Sequence, residues 1–556
     1  VRTVDGTPQI FLLSLTGGEP YQLTDTEHGA TDPVWSPRGR RLLFASSLPE
    51  RRVRQRSGAA GPSERPGRSL QDTLVTAPRE TRVVLRDSVT LDPVDTLDVA
   101  LTDSIRVLAD SLGALRDTIT VTAEGPDTSP APDGSLLQVR TWLERRSGAG
   151  NPQVTNRLDF QGEQRLDPEP SYRHYFTVSV PSDVLSADRP RPEPQAVTRG
   201  FRSFDDAVWL PGGSQIIASA PPPSSLHPDR VRDRNLYVVD ANRAGMRRLL
   251  SLKHHALTDP QLTPDGTTVA FRAEDLRNAG YAQSEIGLFA LDGRTKPQLI
   301  TGDFDRDVSA PIWSPDGWYL YATAPSNGGF PLYRFAPFAR SDTTDAPSPP
   351  PVETSGEGVS RDTFAIDSTM IRRVPREQLT ELPRGVRSFD ATDATVAYVA
   401  TDASNPYELY ANTVGFASER RLSAHNAAWL EERQLATPQR FTVTRDSLPI
   451  EGWAMRPPRL GSGQQAPLLL EMHGGPMAMW GPGEATMWHE FQYLAAQGYA
   501  VVYANPRGSG GYGQAFKRAN YKNWGPTPAA DVLAAADAAA SRFPWIDASR
   551  QVLTGG

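Results

Sequence analysis

The 556-residue chain contains no cysteine. Disulfides, zinc–thiolate sites and a cysteine nucleophile are therefore excluded. A thiol-free chain suits either redox compartment and leans toward export, where free thiols risk mispairing. The compartment stays open between periplasmic or secreted and cytoplasmic. No apolar run approaches the length that spans a bilayer. A basic excess is missing as well: 58 Lys and Arg stand against 65 Asp and Glu, for a net charge of −7. Nothing in that balance favours phosphate neutralisation, so neither a nucleic acid nor an anionic membrane surface is expected as partner. The chain begins at Val1 without a methionine or a signal-peptide pattern. Both ends read as fragment ends, with any export signal lying upstream.

What the chain does have is proline, 50 residues of it, roughly twice the usual share. That favours turns over long helices. Apolar residues make up 38% and charged residues 22%, enough for real cores in two or three domains. One phrase recurs. Asp32-Pro33-Val34-Trp35-Ser36-Pro37-Arg38-Gly39 leads into Arg41-Leu42-Leu43-Phe44. It returns as Asp206-Ala207-Val208-Trp209-Leu210-Pro211-Gly212-Gly213, as Asp259-Pro260-Gln261-Leu262-Thr263-Pro264-Asp265-Gly266, and as Ala310-Pro311-Ile312-Trp313-Ser314-Pro315-Asp316-Gly317, each before an apolar run. A degenerate copy, Ser388-Phe389-Asp390-Ala391, precedes Thr395-Val396-Ala397-Tyr398. Each copy predicts strand, tight turn, strand, with proline presetting φ and glycine accepting positive φ. Further strands lie between the copies, for instance Asn235-Leu236-Tyr237-Val238-Val239. About four short strands per unit of roughly 45 residues is a β-propeller pattern; an irregular β-sandwich is the plainer alternative. Residues 49–136 and 346–385 interrupt the pattern and read as surface insertions, partly disordered.

After about residue 437 the period changes. A hairpin (Phe441-Thr442-Val443-Thr444, then Ile450 to Met455) precedes a buried apolar strand, Pro467-Leu468-Leu469-Leu470-Glu471-Met472. A helix over 486–497 closes at Gly498, and a strand follows over 499–503. A second helix over 528–543, capped by Thr527, leads to a strand over 551–554. Strand–helix–strand–helix–strand implies a parallel α/β sheet.

His473-Gly474-Gly475-Pro476 directly follows the buried strand. A Gly-Gly turn there leaves backbone N–H groups open to a substrate carbonyl, which is how an oxyanion hole is built from main chain. The plainer alternative is a simple strand-ending turn. His473 itself suits a structural hydrogen-bonding role, because in this type of hydrolase the base follows the nucleophile. The next strand leads into Asn505-Pro506-Arg507-Gly508-Ser509-Gly510-Gly511-Tyr512-Gly513. Arg507 can orient a substrate carbonyl or hold its loop by an ion pair. Ser509 has no strand–turn–helix frame to make it a nucleophile. Gly555 and Gly556 fit the first two positions of a Gly-x-Ser-x-Gly nucleophile turn. The next residue would be the serine.

With Asn523-Trp524-Gly525 added to these motifs, the chain resembles the prolyl oligopeptidase family of serine peptidases, in its acylaminoacyl-peptidase and dipeptidyl-peptidase-like branch. The resemblance implies an all-β propeller, seven-bladed and carrying the insertions, over residues 1–436. It implies the first half of an α/β-hydrolase domain over 437–556. It further implies an acyl-enzyme peptidase acting on short peptides admitted past the propeller, with a Ser-Asp-His triad and no cofactor or metal. Gly475 would supply one oxyanion N–H, Gly474 and Arg507 would line the substrate, and the triad would lie beyond Gly556. The chain departs from the family at Pro526-Thr527-Pro528, where an acidic residue is usual, while Asp531 keeps the later acidic position. An esterase using the same site, and a propeller scaffold with a decayed hydrolase half, are the alternatives. A homo-oligomer is left open.

Overall fold

The computed structural model describes residues 1–50, 170–181, 191–338 and 363–555, except the single positions 16, 225, 227, 244, 279 and 476, with short pieces between 52 and 142. Its first part is a β-propeller with five four-stranded antiparallel blades among the described residues. The blades begin with strands Thr31–Trp35, Asp205–Trp209, His255–Leu262, Ile312–Trp313 and Gly385–Ala391. These are the strands of the repeated phrase.

The phrase does two jobs in the first four blades. It closes the hairpin: the N–H groups of Gly39, Gly213, Gly266 and Gly317 donate to the carbonyls of Ser36, Leu210, Thr263 and Ser314 at 2.8–2.9 Å. It also joins one blade to the next. Gly266, at φ +71°, lies so close to Pro211 of the preceding copy that a Cβ would stand 2.3 Å from its Cγ. Gly213 faces Pro37 and Gly317 faces Pro264 more loosely, with a Cβ at ordinary contact distances of 3.7 and 3.4 Å. Trp209 Nε1 donates to the Val34 carbonyl at 3.3 Å, and Trp313 Nε1 to the Gln261 carbonyl at 3.2 Å. Each indole thus reaches an earlier copy of its own motif and is buried there, while Trp35 of the first copy is 51% exposed.

Both insertions have other limits than the composition suggested. Strand Arg41–Pro49 pairs with Ser171–Ser179 as the next strand of its blade, so the interruption runs to about residue 170. A small antiparallel sheet of Glu80–Val83, Ile119–Ala123 and Ile105–Arg106 lies within it. Residues 363–385 belong to the propeller. Arg376–Gln378 is the outer strand of the fourth blade, and Met370 is buried in the apolar cluster shared by the second and third. Composition missed this because Met370, Phe364 and Ile366 are isolated apolar residues in a polar stretch, and only the neighbouring blades complete their surroundings. The remainder of that insertion, 346–362, lies outside the described residues.

The second part is one five-stranded sheet. Its strands are β1 (Pro438–Arg445), β2 (Leu448–Met455), β3 (Ala466–Met472), β4 (Ala500–Asn505) and β5 (Ile546–Gly555), with helices α1 (Trp488–Ala496), α2 (Gln514–Arg518) and α3 (Pro526–Arg542). The order across the sheet is β1-β2-β4-β3-β5, with β3 parallel to both β4 and β5. Asp446 and Ser447, both at positive φ, make the two-residue turn of the β1–β2 hairpin, the geometry that matches strand twist. All six residues of β4 are buried, as a central strand covered on both faces requires. Ala500, Val502 and Ala504 pack with Val532, Ala535 and Ala539 of α3, while Val501 and Tyr503 pack with Phe491 and Ala495 of α1. Each large apolar side chain so buried contributes roughly 1.5–3 kcal/mol.

The start of α3 differs from the sequence expectation. The helix begins at Pro526 with Gly525 at the cap position and no side-chain cap bond. Thr527 lies inside it, its hydroxyl accepting from Asn523 Nδ2 at 2.7 Å. Prolines at 526 and 528 remove two N–H groups that would otherwise need a cap, so the helix starts without one.

Candidate active site

The parallel pairing of β3 with β5 sets Met472 opposite Gly555. The His473-Gly474-Gly475 turn and the end of β5 therefore leave the same edge of adjacent strands. Gly555 lies so close to β3 that a Cβ would stand 2.1 Å from the Met472 carbonyl oxygen. Gly475 sits at φ +113°, and a Cβ there would stand 2.9 Å from the Ala478 amide nitrogen. Both Gly474 and Gly475 are exposed, and among the described residues no backbone acceptor takes the Gly475 N–H. An accessible, unused N–H beside the end of a parallel strand suits stabilisation of a developing oxyanion. Gly556 lies outside the described residues.

His473 is held by its surroundings. Nε2 stands 3.1 Å from Asn505 Oδ1 and 3.1 Å from Ser509 Oγ, and Nδ1 stands 3.0 Å from the Gly474 carbonyl. Burial lowers its pKa, opposed by the nearby Gly474 and Asn505 oxygens. Ser509 is fully buried, and its hydroxyl donates to the Pro506 carbonyl at 2.7 Å. That commits its proton to a main-chain acceptor, and a nucleophile needs the proton free for a base.

Arg507 is held by two carboxylates. Its Nε and Nη2 grip the two oxygens of Asp531 at 2.8 and 2.7 Å, its amide donates to Asp531 at 3.0 Å, and Nη1 reaches Asp446 at 2.6 Å. Asp531 is fully buried and the Arg507 side chain is 10% exposed. Hydrogen bonding to Asp531 raises the guanidinium pKa further. Of the two roles open to Arg507, the ion-pair anchor is the one formed: it ties the loop after β4 to α3 and the hairpin turn. A buried carboxylate claims the nearest guanidinium, here Arg507, while Arg445 Nε stands farther off at 4.0 Å.

Comparison with known proteins agrees with this geometry. Residues 485–556 match the sequence model of the prolyl oligopeptidase family. The chain is 40% identical over 174 residues to the uncharacterized peptidase YuxL of Bacillus subtilis, covering 31% of this chain and 26% of that protein. It is 24% identical over 302 residues to dipeptidyl-peptidase 5 of Aspergillus fumigatus, covering 54% of this chain and 37% of that protein. The chain thus spans well under half the length of these curated relatives. The acylaminoacyl peptidase of Pyrococcus horikoshii shares the fold, with a TM-score of 0.58 and 16% identity over 98% of this chain and 62% of that one.

The propeller presses directly on the site end of the sheet. Asp305 accepts from the Gln514 amide at the start of α2 at 2.7 Å, and Lys517 Nζ reaches Asp307 at 2.8 Å. Gly483 N donates to Gly328 O at 3.0 Å, and Trp524 Nε1 to the Tyr281 hydroxyl at 2.7 Å. A cavity of about 550 Å³ between the two parts is lined by Glu285, Phe304, Asp305, Gln514 and Arg518. Among the described residues no helix is long and apolar enough to cross a membrane. Sequence reasoning gave no role to Asn505, Glu451, Tyr512 or Glu471. The available signal was a polar residue at the end of an apolar strand, as with Asn505 after Val501-Val502 and Glu471 after Leu468-Leu469-Leu470.

Proposed function

We propose that the protein containing this chain is a serine peptidase that cleaves short peptides through an acyl-enzyme. The observation that carries this is the register of β3 and β5, which brings the exposed Gly475 turn beside the end of β5. A serine on the turn that leaves β5 would stand next to that N–H donor, the arrangement acyl transfer needs. Gly475 would donate to the oxyanion, with Gly474 beside the substrate. The aspartate and histidine of the triad would come from sequence other than residues 1–556, which by themselves are expected to turn over no peptide. The relatives' names point the same way: a peptidase, a dipeptidyl-peptidase and an acylaminoacyl peptidase. The propeller loops packed on α2 support a gating role in which only short, flexible chains reach the site. A ring of seven blades is the closure we propose for it.

The test uses the full-length natural protein that contains residues 1–556. Labelling by a serine-directed fluorophosphonate, together with faster turnover of aminoacyl-anilides than of simple esters, is the expected result. Absence of labelling in folded protein would overturn the proposal, and preferred ester turnover would move it to an esterase.

A further inference from the structure

The Gly475 turn needs a rigid support if its N–H is to stand ready before the reaction, and one side chain supplies it. Asn505 ends β4 and is fully buried. Its Nδ2 donates to the Trp480 carbonyl at 2.7 Å and to the Tyr512 hydroxyl at 2.8 Å. Its Oδ1 accepts from the Trp480 amide at 2.9 Å and faces His473 Nε2 at 3.1 Å. A primary amide offers two donors and two acceptor sites, and all four are used.

The orientation of that amide follows from its neighbours. Glu451, on β2 directly opposite Asn505, is buried and takes hydrogen bonds from Arg440 Nε and the Tyr512 hydroxyl. With the Tyr512 hydroxyl donating to Glu451 Oε2, its oxygen is left to accept from Asn505 Nδ2 at 2.8 Å. The amide therefore turns its NH₂ toward Tyr512 and its carbonyl toward His473. His473 Nε2 faces that carbonyl at 3.1 Å. The chain Arg440–Glu451–Tyr512–Asn505 thus determines how the loop is held at His473, its first residue, and at Trp480, near its end. Gly475 lies between these two clips.

We propose that Asn505 is a positioning residue that holds the 473–480 loop with the Gly475 N–H in the oxyanion position. This inference rests on the serine-peptidase reading. Its effect belongs to the transition state, where the oxyanion exists, and not to substrate capture. A loop displaced by about 1 Å costs on the order of 10²-fold in rate.

The experiment compares wild type, Asn505→Ala and Tyr512→Phe in the full-length natural protein. Asn505→Ala is expected to lower kcat on an aminoacyl-anilide by about 30- to 300-fold, with KM changed by less than about threefold. Tyr512→Phe removes only the hydroxyl that orients the amide, and is expected to lower kcat by about tenfold. It serves as the test if Asn505→Ala does not fold. Hydrogen exchange across residues 473–480 should quicken in both variants. If folded variants keep kcat within about threefold, or raise KM alone, the positioning role is overturned while the peptidase reading stands. If wild type takes no fluorophosphonate label, both fall together.

Discussion

The propeller and the site end of the α/β sheet are held by opposite means. In the propeller the same contacts recur: indole to an earlier carbonyl at Trp209 and Trp313, turn glycine against earlier proline at Gly213, Gly266 and Gly317. Each is modest, and each has counterparts elsewhere in the domain. At the site end the contacts that fix the loops each occur once and are buried or half-buried. Asp531 meets Arg507, Asn505 meets the 473–480 loop, and Glu451 meets Tyr512. Repetition spreads stability over interchangeable units, whereas a site concentrates it in contacts that have no substitute.

The contrast can be broken most severely at Asp531. Asp531→Ala leaves Arg507 with only the exposed Asp446, and should cost about 3–5 kcal/mol, the range for removing one partner of a buried pair. The measurement is chemical unfolding with hydrogen exchange followed in α3. A loss below about 1 kcal/mol, the value of an exposed pair, would show that the pair is not structural. A smaller effect separates copies of the repeat. Trp313→Phe should cost about 1–2 kcal/mol through the lost bond to Gln261 and the reduced volume. The same change at exposed Trp35 should stay within about 0.5 kcal/mol. Equal losses at the two positions would mean that reaching the earlier copy contributes nothing.

A further expected effect is a pH dependence. Glu471 is fully buried, and neither carboxyl oxygen has a hydrogen-bond partner among the described residues. Burial, with a further push from Glu490, raises its pKa from 4.5 to about 7. The unfolded chain releases this proton at lower pH than the folded one. Its stabilising contribution is therefore complete below about pH 4.5 and is lost as pH rises toward about 7. Unfolding midpoints of the sheet domain measured across that window should fall with pH, and Glu471→Gln should flatten the fall. An unchanged slope in the variant would show that another group titrates.

Much of the fold was legible. Four copies of a strand–turn–strand phrase announced the blades, because proline and turn glycine leave a local mark that needs no partner. The alternation from 441 to 455 announced the hairpin, and the apolar run at 468–470 announced the central strand. Legibility failed where a residue's meaning lay elsewhere in the chain. Strand Ser171–Ser179 pairs with residues more than a hundred positions away, across the first interruption. Met370 sits in a polar stretch and is buried by the second and third blades. Thr527 looked like a cap until two prolines made one unnecessary. Arg507 was open to two uses, and only the buried position of Asp531 separated them.

The sequence by itself determined that the chain is a propeller followed by an α/β sheet, and that a Gly-Gly turn follows an apolar strand. Those features are periodicities and turn chemistries set by near neighbours. The tertiary structure alone decided that Gly475 and Gly555 share one edge, that Asn505 clips both ends of the 473–480 loop, and that Arg507 serves Asp531. The strand order β1-β2-β4-β3-β5 places β4 between β2 and β3, so Asn505 can bond Tyr512 on one side and reach His473 on the other. Local sequence patterns do not carry strand order, because it is settled by which faces bury one another.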